Sequence, residues 1–201
     1  MFILYAIPIG IIAGYLTGGR LERLGALRLR CAPLALLGLA IQVLIFSDPV
    51  SGLVGDAGPA VYVASTAIVL VAVLRNVTIP GVALVALGAG CNLAAIVANG
   101  GWMPADAASL ASVGGLPSGA SNSIVVADPA LGPLTDLFAL PAGMPLANVF
   151  SVGDVLIGVG IAVTIALAMR AVPSAGDGSP PGIPAGRTRS TSRPARRGRG
   201  S

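Results

Sequence analysis

Residues Phe150–Arg170 read FSVGDVLIGVGIAVTIALAMR. The run has one acid a turn after its start, Asp154, and no further charge before Arg170. A helix needs roughly 20 apolar residues to cross the hydrocarbon core of a bilayer. The stretch is therefore predicted to be a membrane-spanning helix with a carboxyl group near one end. A charge is costly there, so Asp154 marks a candidate functional site.

The composition of the whole chain agrees with a membrane protein. Of its 201 residues, 55% are hydrophobic and only 10% are charged, whereas soluble domains are about a quarter charged. Histidine is absent, which excludes His-based catalysis and His ligation of a metal. The two cysteines, Cys31 and Cys91, lie in different apolar segments without a CxxC spacing. Neither a disulfide framework nor a metal site is predicted, and no cofactor is expected.

Five apolar segments are predicted to cross the membrane, so the expected fold is an all-α polytopic bundle of five transmembrane helices. The segments are Phe2–Gly18, Cys31–Phe46, Pro59–Leu74, Ile79–Ala98 and Phe150–Met169. Together with their connections they form one transmembrane domain over residues 1–171. Residues 172–201 are rich in Pro, Gly, Ser and Arg, and are predicted to be a disordered cytoplasmic tail because they cannot bury a core.

The basic residues are predicted to set the orientation of the helices. All 12 are arginines, and six of them lie in the last fifteen residues. With five crossings, the other arginines all flank helices on one face, which is expected to be cytoplasmic. The N-terminus is then outside and the C-terminus inside. The absence of lysine and the abundance of Ala, Gly and Pro indicate a bacterial sequence, and hence the plasma membrane of a bacterium. The arginines are assigned to topology and to the lipid bilayer, so no nucleic-acid partner is expected.

Small and polar residues within the segments indicate how the helices pack. Gly10, Gly14 and Gly18 repeat every four residues and form a flat strip that lets another helix approach closely. The strip serves either packing inside one chain or a homo-oligomer interface. Gln42 and Asn92 are uncharged polar residues within apolar segments, and each is expected either to form an interhelical hydrogen bond or to contact a ligand.

The longest connection, residues 99–149, is predicted to lie outside the cell and to be functional or disordered. It opens with Asn99-Gly100-Gly101-Trp102, in which two glycines permit a sharp turn and the tryptophan suits the headgroup region. Its Gly- and Ser-rich middle, Ser112–Asn122, is predicted to be mobile. Thr135–Leu140 is predicted to be a short amphipathic helix at the membrane interface.

Asp136 and Asp154 are the candidate catalytic residues. They are 18 positions apart and are predicted to meet at the outer rim of the bundle. Two carboxyl groups at a partly dehydrated interface can share one proton, so that one acts as a base on water and the other as an acid. The alternative is structural, because Ser151 and Asp154 match a capping box at a helix start. An acid in the first turn is also stabilised by the helix dipole.

Two motifs resemble a known bacterial family. Asn99-Gly100-Gly101-Trp102-Met103-Pro104 and Phe150-Ser151-Val152-Gly153-Asp154-Val155-Leu156-Ile157, together with the Gly-rich first segment and Gln42, are similar to the family classed as domain of unknown function 5317. The resemblance covers most of residues 1–169. It implies an integral membrane protein and assigns no activity.

A shorter resemblance, over about twenty residues, is to lipoprotein signal peptidase, an aspartyl membrane peptidase. That family has Phe-Asn-x-Ala-Asp at the head of its last helix, where this chain has Phe150–Asp154. Its other catalytic Asp lies just under twenty residues upstream, where Asp136 stands here. The resemblance implies Asp136 and Asp154 as the catalytic pair and Asn99 as a positioning residue. Ser151 and Gly153 differ from that pattern, and the Gly-Asn-x-x-Asp-Arg element of the family is missing.

Three functions are therefore considered. The first is a non-enzymatic membrane protein that acts as a scaffold, a partner subunit or a ligand-binding protein through its outer loop. The second is an aspartyl membrane peptidase that uses Asp136 and Asp154. A small transporter is disfavoured because no charge is predicted at the centre of the membrane.

Overall fold

The computed structural model describes residues 2–115 and 122–171. These residues are mostly helical, and a helix occupies each of the five apolar segments. The helices are α1 (Ala6–Leu16), α2 (Ala32–Ile45), α3 (Asp48–Val54), α4 (Gly58–Leu74), α5 (Val82–Ala98), α6 (Ala107–Ser112) and α7 (Val152–Arg170). Short 3-10 turns at Phe2–Tyr5, Leu21–Ala26, Gly55–Ala57 and Gly132–Leu134 complete the helical structure. The predicted tail and the centre of the Gly- and Ser-rich stretch lie outside the described residues.

The helix boundaries follow from residues that start helices. A proline stands in the first turn of α2, α3 and α4, where its missing N–H leaves no hydrogen bond unmade. Gly81 precedes α5 with a φ of +91°, a backbone conformation that glycine adopts without strain. Ser151 accepts a hydrogen bond as the N-cap of α7.

The long helices pack in the order α2, α4, α5, α7, α1. Contacts between Arg30 and Asn76 make α2 and α4 antiparallel, and the contact between Gly81 and Thr164 makes α5 and α7 antiparallel. The contacts of the α1 glycines show that α1 and α7 are parallel. The Phe2 and Phe150 rings stack 4.2 Å apart at one end. At the other end, the Arg20 N–H donates to the Met169 carbonyl over 2.8 Å. We call the first the loop end, since residues 99–115 and 122–151 lie there. The second is the arginine end, where the chain carries Arg20, Arg23, Arg28, Arg30, Arg75 and Arg170.

The glycine strip of α1 packs within the chain. A Cβ atom on Gly10 would lie 2.9 Å from the Ala162 backbone, and one on Gly14 would contact the Met169 side chain. Both neighbours belong to α7, so these two glycines serve packing inside one chain, one of the two alternatives that the sequence left open. Gly18 lies beyond the end of α1 with a φ of +80° and open space around it, so it is not part of a helical strip.

The loop end contains two small two-stranded sheets. β1 (Met103–Pro104) pairs in parallel with β2 (Ser123–Ile124), and β3 (Phe138–Leu140) pairs antiparallel with β4 (Asn148–Phe150). The predicted short helix at Thr135–Leu140 is therefore wrong. A six-residue helix is marginal on its own, whereas an extended segment gains backbone hydrogen bonds from the strand that leads into α7. The short helix of this region is α6 instead.

Two helices among the described residues are long and apolar enough to cross a membrane, judged by length and composition. They are Val50–Leu74, which joins α3 to α4, and Val152–Arg170, which is α7. Three further apolar helices are shorter: Phe2–Leu16, Ala32–Ile45 and Val82–Ala98.

Candidate functional site

A partly buried polar network joins α5 to the start of α7. The Asn92 Nδ2 donates to Asp154 Oδ1 over 2.8 Å, and the Ser151 hydroxyl donates to Asn92 Oδ1 over 2.8 Å. Ser151 has no exposed surface. The interhelical hydrogen bond predicted for Asn92 is confirmed, and its partners are the two residues predicted to cap α7.

The same network contains the predicted capping box. The Asp154 N–H donates to Ser151 Oγ over 3.0 Å, and the Ser151 N–H donates to Asp154 Oδ2 over 3.0 Å. Each carboxylate oxygen of Asp154 therefore accepts a hydrogen bond, one from its own helix start and one from α5. These bonds stabilise the negative charge at the positive end of the α7 dipole.

Glycines allow the two helices to approach closely enough for this network. A Cβ atom on Gly153 would overlap the Asn92 side chain and lie 2.8 Å from the Gly88 carbonyl oxygen. Asn92 lies six residues before the end of α5, so the network is about 9 Å below the loop end of that helix at 1.5 Å per residue.

Asp136 is held above this network by the backbone of the Trp102–Asp106 segment. Its N–H donates to the Pro104 carbonyl over 2.9 Å, and its carbonyl accepts from the Asp106 N–H over 3.0 Å. On its other side, the same segment pairs with β2, through the Ala105 N–H and the Ile124 carbonyl at 2.8 Å. The motif that begins at Asn99 thus forms the central strand that fixes Asp136.

The pKa of the Asp136 carboxyl group lies well above its ordinary value. The residue is only 6% exposed. Burial, and secondarily the negative charge of Asp154, raise the pKa of Asp136 from 3.8 to about 7. Within residues 2–115 and 122–171 its side chain has no hydrogen-bond donor that would offset this effect. The two acids interact electrostatically, and their action as a proton-sharing pair stays a prediction.

Two further polar residues of this region, Tyr62 and Asn122, were not predicted to be part of the site. Tyr62 lies in α4, is 8% exposed and accepts a hydrogen bond from Asn122 Nδ2 over 2.9 Å at its hydroxyl oxygen. It also interacts electrostatically with both Asp136 and Asp154. A phenol in an apolar segment usually has a polar partner when buried, and this was the signal available in the sequence.

Asn99, Gly100 and Gly101 form the turn that ends α5. The Asn99 Nδ2 donates to the carbonyls of Ala95 and Ala130, both at 2.8 Å, and its Oδ1 accepts from the Ala130 N–H at 2.9 Å. The glycines have φ values of +69° and +92°. These contacts give Asn99 a structural role in joining α5 to the loop, which differs from the positioning role implied by the peptidase resemblance.

Gln42 also forms the predicted interhelical hydrogen bond. Its Nε2 donates to Thr66 Oγ1 over 3.2 Å and so connects α2 to α4. This bond lies on the other side of α4 from the network of Asn92, Ser151 and Asp154.

A cavity of about 150 Å³ lies at the loop end between α2, α3, α4 and the Gly101–Trp102 turn. Its walls are mixed, with aromatic, aliphatic and small residues. They are Ile45, Phe46, Ser51, Val54, Gly55, Gly58, Pro59, Tyr62, Gly101 and Trp102. Tyr62 thus connects the cavity wall to the buried acids. Among the described residues, no three Cys, Asp or Glu side chains group closely enough to hold a metal ion.

The fold and site define a mostly helical protein with a partly buried carboxyl and amide network beneath a small loop subdomain. The chain belongs to the family of unknown function DUF5317, whose profile matches residues 26–166. The predicted membership of this family is confirmed. No curated protein and no solved structure matches the chain.

Proposed function

We propose that the chain is a multi-pass protein of the bacterial plasma membrane whose five long helices all cross the bilayer. The carrying observation is the exposure of its most apolar surfaces. Only 17% of the apolar window in Val50–Leu74 and 22% of that in Val152–Arg170 is buried inside the protein. A core helix of a soluble protein would be mostly buried, and exposed apolar surface on this scale supports a lipid environment.

The distribution of charge supports an orientation with the N-terminus outside and the C-terminus in the cytoplasm. The six described arginines flank the helices at the arginine end, and basic residues beside membrane helices favour the cytoplasmic face. Asp56, Asp106, Asp128 and Asp136 lie at the loop end. The short helices α1, α2 and α5 extend their reach through adjacent turns and through arginine side chains directed to the interface.

Cysteine labelling in intact cells tests this topology. Cys31 is exposed at the arginine end, so a Cys91→Ser variant presents a single accessible thiol there. A second variant carries Cys31→Ser, Cys91→Ser and Ala127→Cys. Its single thiol therefore lies in the loop region. We expect a membrane-impermeant maleimide to label the second variant in intact cells, and the first only after permeabilisation. Labelling of both thiols in intact cells would contradict the proposal.

We further propose that the protein is a ligand-binding membrane protein, with the cavity of about 150 Å³ at the loop end as its site. An apolar cavity of roughly 150 Å³ is large enough to hold a molecule the size of benzene. Trp102, Phe46 and Tyr62 supply aromatic walls, and a pocket of this kind usually combines apolar surface with a few polar groups. The site therefore favours a small aromatic or aliphatic molecule with one polar group. In a scaffold or partner subunit, the same surface would instead receive a side chain.

Fluorescence of Trp102, the single tryptophan of the chain, reports directly on this cavity. We expect 2,2,2-tribromoethanol, a small alcohol whose bromine atoms quench indole emission, to quench Trp102 saturably in the full-length protein. Val54→Phe should remove the saturable component by filling the cavity, because Val54 lines it.

The matched control is Leu53→Phe, which adds a ring at a neighbouring position of α3 that is 85% exposed. Tribromoethanol should quench Trp102 in Leu53→Phe saturably, as it does in the wild type. Quenching that rises linearly in the wild type, without saturation and without a difference in Val54→Phe, would contradict a binding cavity.

An aspartyl peptidase similar to lipoprotein signal peptidase is the second candidate. The observation in its favour is the raised pKa of Asp136 beside Asp154, since a general acid must hold its proton near neutral pH. The hydrogen bonds on both oxygens of Asp154 weigh against it, because they favour a fixed carboxylate over an attacking base. Cleavage of a membrane-anchored substrate that either Asp136→Asn or Asp154→Asn abolishes, with the fold retained, would support it.

A further inference from the structure

An apolar groove of about 260 Å³ opens near the arginine end. Four long helices and the linker before α2 form its walls, and its lining is almost wholly hydrocarbon. The residues are Leu27, Leu29, Arg30, Ala32, Ala35, Ala72, Val73, Asn76, Val82, Val85, Ile161, Thr164 and Ile165. The space between α2 and α7 is open because alanines stand where larger side chains would fill it. An exposed apolar groove of this kind marks a candidate site for an apolar ligand.

Arg30 is the single cation among the residues that line the groove. Hydrogen bonds fix the position of its backbone. Asn76 is 7% exposed and forms two hydrogen bonds with the Arg30 backbone. Its Oδ1 accepts from the Arg30 N–H at 2.7 Å, and its Nδ2 donates to the Arg30 carbonyl at 2.8 Å. Arg30 is exposed, and no carboxylate pairs with its guanidinium within the described residues. The result is an unpaired positive charge beside an apolar groove.

We propose that this groove binds an anionic phospholipid, with an acyl chain between the helices and the phosphate at the Arg30 guanidinium. The inference rests on the proposed membrane location and adds a specific ligand to it. Apolar walls with one cation match the chemistry of a lipid in which an acyl chain adjoins a phosphate. Guanidinium groups bind phosphate oxygens through paired N–H donors.

Charge argues against the two protein occupants that the chain itself could supply. Residues 172–201 contain six arginines and one acid, Asp177, so the tail repels Arg30. A second copy would present its own arginine end, where Glu22 is the single acid between residues 17 and 31. A phospholipid supplies the missing negative charge and the apolar chain in one molecule.

Native mass spectrometry of the full-length protein in a neutral detergent tests the proposal. Phosphatidylglycerol and phosphatidylcholine with identical acyl chains are added in equal amounts, and bound lipid is counted for each. We expect the wild type to prefer phosphatidylglycerol about fivefold, the ratio expected for one arginine beside an anionic lipid. Arg30→Gln should abolish the preference and keep the fold, because Asn76 binds the backbone of residue 30 and not its side chain. Ala35→Phe should lower binding of both lipids by filling the groove.

Two control variants accompany the test. Arg28→Gln removes an exposed charge outside the groove, and Leu36→Phe enlarges a side chain of α2 that is 66% exposed; both should bind lipid like the wild type. Equal binding of the two lipids by the wild type would overturn the proposal, as would full binding by Ala35→Phe. Competition by glycerol phosphate as strong as that by phosphatidylglycerol would also overturn it, by assigning Arg30 to a free phosphate. These results leave the cysteine-labelling result unaffected, so the proposed topology can stand if the lipid site fails.

Discussion

Asp136→Asn is expected to stabilise the protein at pH 8 by about 4 kcal/mol and to leave its stability at pH 4 nearly unchanged. The value follows from a pKa of about 7 in the folded protein against the ordinary 3.8. The folded state binds this proton more tightly than the unfolded chain, so stability falls as pH rises from about 4 to about 7 and is constant above. Asparagine is neutral at every pH and removes the cost of a buried charge.

The melting temperature of the full-length protein in detergent, recorded at pH 4 and pH 8 for variant and wild type, measures the effect. A gain of about 4 kcal/mol corresponds to roughly 10 °C for a chain of this size. Asp128→Asn is the matched control, since Asp128 is an exposed acid of the same loop region, and it should shift the melting temperature by little at either pH. Equal melting temperatures for Asp136→Asn and the wild type at pH 8 would show that the Asp136 carboxyl is solvated.

The stability cost of Asp136 bears on function. A buried acid that destabilises the folded protein at neutral pH and makes no side-chain hydrogen bond among the described residues is costly as a structural element. Functional groups often carry such a cost. For the ligand-binding proposal, Asp136 interacts electrostatically with Tyr62, which lines the cavity, and the charge of Asp136 changes near pH 7. For the peptidase alternative, the same proton is the one that a general acid would deliver.

The five long helices could be predicted from the sequence because each is one continuous apolar run with its own start and stop residues, whereas α3 and α6 were not predicted. The capping box of α7 was also predictable, since Ser151 and Asp154 are three residues apart and their bond is local. Gln42 and Asn92 were expected to bond across helices because an amide in an apolar segment needs a partner. The identity of the partner could not be read from the chain, since Asn92 and Asp154 are separated by 62 positions.

The structure of the loop region was harder to predict from the sequence, because it also depends on contacts between residues that are distant along the chain. β3 forms only because β4 lies beside it, so the Thr135–Leu140 segment carries no sufficient local signal for its extended conformation. The pair of Tyr62 and Asn122 joins α4 to a Gly- and Ser-rich stretch that was expected to be mobile. Residues whose roles depend on distant partners are those for which sequence patterns gave an incomplete account here.

Asn92→Leu is expected to destabilise the protein by about 3 kcal/mol, because it removes both hydrogen bonds that this side chain makes to the start of α7. The partly buried Asp154 carboxylate loses the donor to its Oδ1, and the Ser151 hydroxyl loses its acceptor. Hydrogen bonds to charged groups contribute about 1.5–3 kcal/mol, and an unpaired buried polar group adds to the loss. Gln42→Leu is the control, an amide in α2 with one bond to a neutral hydroxyl, and it should cost about 0.6–1 kcal/mol.

A double-mutant cycle shows whether Asn92 and Asp154 contribute to stability through their mutual interaction or independently. If Asn92 acts chiefly by stabilising the charge of Asp154, Asn92→Leu should cost less in an Asp154→Asn background, because no carboxylate remains to be left unpaired. We expect a coupling of at least 1 kcal/mol in thermal unfolding in detergent, since the two side chains share a direct charge-assisted bond. Additive losses would mean that Asn92 stabilises only helix packing. The coupling would then have to be sought at Ser151, which contacts both residues and has no exposed surface.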